Sequence, residues 1–393
     1  MTRSFWLYLT LALVLSVSLA VPVSLALAVT GKGTAVFRDA SALSDRLVVA
    51  MTEVERPASG KAYEGWLVSD DAKTATSIGI ISVSADGRVS HTYTSPNGQN
   101  LLGSYNTVRI TIEPSPDPEP AKPSADVAFE YTLPGPVATH ARHLLYRWDP
   151  SPDKKGFVVG GREQLRLAQQ HLNLALSDAQ KGNLTGARSH AEHVVNIIEG
   201  SKGPNYGDLD GDGQTVNPGD GNGVLEYFKG AIAHVGLMST ALPNDPIVKL
   251  HGPHVTDSSN NILDWAGRVR DWAIPAARAN DLTVALTLLG VAKPDMDKAI
   301  SGFDADGNGR IDLVRGESGL PIAYEHSQNL AIFSLAAAPP AQPAPTPTPT
   351  AAPAPPKVGD VSTRPFLGIA LLLGASFLAG GILLLRQRTR KSA

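Results

Sequence analysis

The chain has 393 residues, with 34 basic and 37 acidic side chains, 10 histidines and no cysteine. The missing thiol excludes disulfides, thiolate catalysis, iron–sulfur clusters and haem attached through Cys-x-x-Cys-His. Setting aside Arg3 and the four basic residues of the C-terminal tail leaves 29 basic against 37 acidic groups. That balance argues against nucleic acid, which needs a basic footprint, and favours cations as ligands.

One positive charge at Arg3, an apolar run and the small-residue site Ala26-Leu27-Ala28 predict a secretory signal over residues 1–28. Ser18-Leu19-Ala20 is a weaker cleavage site.

From residue 31 the chain is rich in Val, Ile, Thr, Ser and Tyr, in short alternating runs broken by turn residues. The spacing predicts seven strands, at 34–39, 47–53, 62–69, 77–84, 89–95, 107–113 and 126–133. Seven short strands so spaced predict an antiparallel β-sandwich over 31–135. The five prolines between Pro114 and Pro123 predict a stiff loop before the last strand. Tyr63 and Trp66 stand three apart, which places one in the core and the other at a rim, unless both are core.

Three stretches carry a resemblance: Tyr63-Glu64-Gly65-Trp66-Leu67-Val68, Gly79-Ile80, and Val108-Arg109-Ile110-Thr111-Ile112-Glu113-Pro114. Together they resemble the extracytoplasmic domain of anti-sigma-K factors, over about 100 of the 393 residues. The resemblance implies a sandwich fold and an exported location. Anti-sigma factors hold their sigma factor with a cytoplasmic segment. Only four residues before the N-terminal apolar run and eight after the C-terminal one would face the cytoplasm, so no sigma factor is expected as a partner.

Residues 136–159 read as a connector, and from 160 to 336 the apolar period becomes helical. Leu165, Ala168, Leu172, Ala175 and Ala179 share one face, as do Leu184, Ala187, Ala191, Val194 and Ile198. Further helices are expected at 223–239, 246–256, 261–279, 282–301 and 320–335, with Pro275 and Pro294 kinking or ending theirs. The region reads as two pseudo-repeats. Leu-Thr-x-Ala recurs at an offset of 98 (Leu184 and Leu282), an acidic loop at 96 (Asp208 and Asp304) and a tyrosine at 97 (Tyr227 and Tyr324).

In each acidic loop, oxygen-bearing side chains alternate before a glycine: Asp208, Asp210, Asp212, Gly213, and Asp304, Asp306, Asn308, Gly309. Three such groups at a spacing of two point at one centre, and the glycine allows the sharp turn of an EF-hand or dockerin-type loop. Gln214 and Arg310 take the next position of each loop, and Asp312 fills position 9 of the second. The twelfth positions, Gly219 and Arg315, break the pattern, so the closing carboxylates are expected from Asp220 or Glu226 and from Glu317. Two calcium ions, acting as structural clips, are the expected cofactors.

His190 and His193 lie one helical turn apart, and His171 on the preceding helix is a candidate third ligand. Two readings stay open. The histidines bond across a bundle, or they hold a transition metal or a haem. His251 and His254 repeat the spacing, while His234 and His326 stand alone. Glu192 faces away from the pair, and the spacing is not that of a zincin. His-Ala-Glu-His193-Val-Val-Asn-Ile-Ile-Glu-Gly200 with the Asp208 loop also resembles uncharacterised exported proteins, which supply no activity. Nucleophile elbow, P-loop and dinucleotide fingerprint are all missing from the sequence, and no catalytic role is assigned.

Residues 337–357 are rich in Pro, Ala and Thr and predict an extended stalk of roughly 70 Å at about 3.1 Å per residue. Residues 366–385 carry no charge and are followed by Arg386, Arg388, Arg390 and Lys391, which predicts one transmembrane helix and a cytoplasmic tail over 386–393. The whole reads as a multidomain α+β, type I, single-pass membrane protein. Its expected task is non-enzymatic binding of an unidentified envelope or extracellular ligand. Metal handling or electron transfer, and regulation through a membrane partner, are the alternatives.

Overall fold

A computed structural model describes residues 29–338. The expected signal, the stalk from residue 339, the transmembrane helix and the basic tail lie outside the described residues. Among the described residues, no helix is long and apolar enough to cross a membrane.

All seven expected strands form: β1 (Lys32–Arg38), β2 (Arg46–Thr52), β3 (Lys61–Val68), β4 (Ala75–Ile81), β5 (Val89–Thr94), β6 (Thr107–Pro114) and β7 (Val127–Thr132). An eighth strand, β8 (Phe333–Ala337), was expected to be the end of a helix over 320–335. The sheet is a single antiparallel one in the order β4-β3-β6-β7-β8-β1-β2-β5. The two-sheet sandwich is corrected accordingly. Without β8 the strands would form groups of four and three, as in a sandwich. β8 joins them, pairing Phe129 and Glu130 of β7 on one side and Lys32 to Ala35 of β1 on the other. The free edges approach as well: His91 Nε2 of β5 lies 2.8 Å from the Ile78 carbonyl of β4. The sheet therefore curls almost into a barrel, helped by irregularities at Gly65/Trp66 and Ile110/Thr111 that bend their strands.

Tyr63 and Trp66 are both buried, on different sides of β3. Tyr63 meets Phe129 edge-on at 6.1 Å within the sheet core. The Trp66 indole donates to Thr111 Oγ1 at 2.9 Å, beside the buried Glu113. Ser124, in the Pro-rich loop, caps that carboxylate through its backbone N–H at 2.9 Å.

A single turn, α1 (Leu101–Ser104), interrupts the strands. The long helices are α2 (Gly135–Leu145), α3 (Phe157–Gln180), α4 (Leu184–Glu199), α5 (Val224–Ala241), α6 (Pro246–Ala277), α7 (Leu282–Ser301) and α8 (Leu320–Asn329). The repeated Leu-Thr-x-Ala is a capped helix start. Asn183 accepts from the Gly186 N–H at 3.0 Å, and Asp281 accepts from the Val284 N–H at 2.9 Å.

Three expectations change. α2 lies inside the expected connector. Segments 246–256 and 261–279 fuse into one 32-residue helix, α6, which runs through Pro253 and ends two residues after Pro275. α7 continues past Pro294 to Ser301. Packing overrides the local breakers. In α6, Asn261 serves the second acidic loop instead of capping a helix, its amide donating to the Val314 and Ser318 carbonyls at 3.1 and 2.8 Å.

The sheet core runs on into the helices. Phe37, Leu47, Leu67, Phe129 and Phe333 share one apolar cluster with Leu144 of α2, Met238 of α5 and Val255 of α6. A second cluster, with Leu165, Ile198, Trp265 and Leu289, lies among the helices. Helices α3 and α5 cross closely because Gly160 has no Cβ; one there would fall 2.3 Å from the Tyr227 ring.

Candidate metal centres

Nine of the ten histidines gather into three trios: His140, His143 and His234; His171, His190 and His193; His251, His254 and His326. Each trio is built alike. A helix presents two histidines three apart, which one turn places on one face. α2 carries His140 and His143, α4 carries His190 and His193, and α6 carries His251 and His254. A neighbouring helix supplies the third imidazole, from α5 (His234), α3 (His171) or α8 (His326).

The third histidine is the hub. His234 Nδ1 lies 2.8 Å from His140 Nδ1 and 3.2 Å from His143 Nδ1. His171 Nδ1 lies 3.1 and 3.2 Å from the Nδ1 atoms of His190 and His193. His326 Nδ1 lies 2.9 and 3.0 Å from those of His251 and His254. Burial first, then the neighbouring imidazoles, pushes each hub down to about 4. Burial also lowers His140, His143, His193 and His251. The hubs are thus neutral at pH 7, each ring keeping one lone pair.

The surroundings differ. Trp148 and Phe157 pack on the His234 ring at centroid distances of 5.0 and 4.9 Å. Asp178 Oδ2 stands 3.8 Å from His190 Nε2. Arg38, from β1, donates to Gln328 Oε1 at 3.3 Å and Asn329 Oδ1 at 2.5 Å, just beyond His326.

The sequence brought out His171, His190 and His193, and these do converge. It left His234 and His326 alone and passed over His140 and His143. The spacing of three in His140–His143 was the available signal, since it repeats that of the other two pairs.

The acidic loops take the expected shape. Asp208 accepts from the N–H groups of Gly211 and Gly213 at 2.7 and 2.9 Å, and Asp304 from those of Gly307 and Gly309 at 2.8 Å each. These backbone donors hold the Asp304 carboxyl below its usual range. Asp208 and Asp210 converge with Glu192, and Asp304 and Asp306 with Glu317. Glu192 does face away from the histidines, and it faces the loop: it accepts from the N–H groups of Leu209 and Val216 at 2.8 and 2.9 Å.

Other expected ligands turn elsewhere. Asp212 accepts from the Gln214 N–H at 2.7 Å. Asp220 accepts from the Tyr227 hydroxyl at 2.7 Å, and Glu226 is exposed. Asn308 donates to Asp312 at 2.9 Å, and Arg310 is exposed. A buried asparagine anchors each loop. Asn196 bonds Gly207 and Val216, and Asn261 bonds Val314, Gly316 and Ser318.

No curated protein and no solved structure matches the chain. The resemblance expected for the strand-rich segment is borne out: residues 13–127, which hold β1 to β6 and reach the start of β7, match the family model described as anti-sigma-K factor rskA, C-terminal.

Proposed function

We propose that the chain is an envelope protein that binds first-row transition-metal ions at its three histidine trios. The observation that carries this reading is the threefold recurrence of one arrangement, a His-x-x-His face closed by a hub histidine. An imidazole nitrogen has one in-plane position, filled by a proton or a lone pair. A hub Nδ1 with two ring nitrogens at 2.8–3.2 Å can share a proton with only one of them. Hydrogen bonding across the bundle therefore accounts for one contact in each trio and leaves the second opposed. A single cation accepts all three lone pairs. With metal–nitrogen bonds of about 2.0–2.1 Å, tetrahedral ligands stand roughly 3.3 Å apart, close to these distances.

Imidazole-only sites suit zinc, copper, nickel or iron. Haem fits poorly, because its axial ligands stand on opposite faces of a porphyrin and these nitrogens converge on one point. Three protein ligands leave a coordination position open, which suits exchange better than a closed structural site. This reading includes no catalytic step. The direct test is metal content: full-length chain stripped with chelator, loaded with zinc and desalted should hold three zinc ions. The His190→Ala/His193→Ala variant should hold two. Stripped chain that retains no zinc sinks the reading.

Calcium in the two acidic loops is a second, compatible reading, favoured by the convergence of Glu192 with Asp208 and Asp210 and of Glu317 with Asp304 and Asp306. Its role would be structural, at the weak affinity of extracellular modules, about 10⁻⁴–10⁻³ M. Millimolar calcium should raise the melting temperature of the zinc-free chain, and a Glu192→Gln change should reduce that rise. A melt indifferent to calcium counts against it. Regulation through a membrane partner rests on the family match alone.

A further inference from the structure

We propose that the three centres are not equivalent: the His171 trio takes metal first and most tightly, and the His326 trio takes it last. This rests on the metal reading and deepens it. The donor sets are identical, so differences in affinity come from what surrounds them.

Beside the His171 trio the charges are negative. Asp178 stands 3.8 Å from the ring nitrogen of His190 that faces away from the hub. At that distance the carboxylate acts on the bound ion as a nearby negative charge; losing a hydrogen-bonded outer partner costs about 10–100-fold in metal affinity, and a charge just beyond that reach belongs at the low end. On the other flank the first acidic loop, with Asp210 and Asp212, is seated on α4 beside His193: Glu192 accepts from the N–H groups of Leu209 and Asp210 at 2.8 and 3.2 Å. One cation is close in sequence, Arg188, two residues before His190. Its guanidinium is bound to the carbonyls of Ala277 and Asp210.

Beside the His326 trio stands a positive charge, Arg38, which Glu325 and Asp39 partly offset. Arg38 is fixed to the side chains of Gln328 and Asn329, two and three residues beyond the hub. A divalent ion entering there meets that same guanidinium. The His234 trio is intermediate. It is walled by Trp148 and Phe157, and the cavity beside His234 is lined by one charge of each sign, Glu226 and Lys202.

The consequence is graded filling. At low free metal the chain carries one ion, between α3 and α4. As metal rises, ions enter between α2 and α5 and finally between α6 and α8. The last two positions adjoin the sheet, because α2 follows β7 and α8 leads into β8. The two outer ions would therefore bind helices joined directly to β7 and β8, the strands at which the sheet closes.

The test is a zinc titration of stripped, full-length chain in calcium-free buffer against a chromophoric chelator. Three phases are expected, with the first and last separated by at least about tenfold. The tightest phase should be missing in His190→Ala/His193→Ala, and the weakest in His251→Ala/His254→Ala. Two milder variants keep the test sound if those fold poorly. Asp178→Asn should weaken only the tightest phase, by about tenfold. Arg38→Gln should strengthen only the weakest, while Arg38→Lys leaves it in place. Three equal phases, or an Asp178→Asn variant with an unchanged first phase, overturn the order and leave the metal reading standing. A wild-type chain that binds no zinc overturns both.

Discussion

The sheet and the helices both bury polar side chains, and they do so on opposite terms. In the sheet, the Trp66 indole donates to Thr111, which bonds Glu113, whose carboxylate also accepts from Ser124. Every donor in that chain meets an acceptor, and the set is complete within the protein. In the helices, each hub Nδ1 faces two ring nitrogens and can share a proton with only one of them. Buried polar groups left unmatched cost about 1–3 kcal/mol each. The Trp66 chain is closed by the protein's own groups, and on the metal reading the trios are closed by an ion.

The largest effect that would break this contrast is on metal-dependent stability. An ion that binds only the folded chain stabilises it by about 2.7 kcal/mol at a concentration one hundred times its dissociation constant. Three such sites sum to roughly 8 kcal/mol as an upper bound. Zinc should therefore raise the melting temperature of stripped chain strongly, and each double histidine variant should remove part of the rise. No rise in zinc would make the two regions alike.

Acid should act on the same groups. The hubs titrate near 4 when folded, below the ordinary histidine value of about 6.5. The unfolded chain then takes up protons first as pH falls. Stability contributed by the neutral hubs is fully present above about 6.5 and is lost as pH drops towards 4. Thermal melts of stripped chain across that window should show the loss, and a variant lacking the hub histidines should show a flatter slope.

A single substitution in the sheet comes next. Phe333 is fully buried and packs edge-on against Phe37 at 5.3 Å and Tyr131 at 6.5 Å. Phe333→Ala should cost about 3–5 kcal/mol. Because β8 joins the two strand groups, the loss should appear in denaturant melts with and without zinc. A loss that zinc cancels would mean that the outer trios, and not β8, hold the sheet closed.

The same residue marks the limit of what the sequence reveals. The first seven strands are legible because each alternates between turns. β8 is not, since Phe333–Ala337 continues the apolar pattern of α8 without a break and its partners lie about 200–300 positions earlier. Helix α2 was hidden for a related reason: its apolar face is short, and the turn-rich segment after it reads as one connector with it. The His171 trio was legible because its members lie within 22 positions on consecutive helices. The hubs of the other two lie 91 and 72 positions from their nearer partners, so only the fold brings them together.

The smallest expected effect concerns the duplication inside the helical part. Asn183 and Asp281 cap α4 and α7 at equivalent places, yet only the first repeat has histidines between its capped helix and the helix before it. In the second, α6 and α7 are joined instead by Arg268, which donates to both carboxylate oxygens of Asp295 at 2.9 Å. Asn183→Ala and Asp281→Ala should each cost about 1 kcal/mol in stripped chain, the usual value of a lost N-cap. Zinc should separate them. Fraying of α4 shifts the face that carries His190 and His193, so Asn183→Ala should also weaken the first zinc phase, whereas Asp281→Ala should leave all three phases in place. Equal zinc titrations for the two variants would mean that the ligands are held by packing of the α4 body, where Ala191 and Val194 are fully buried, and not by the start of the helix.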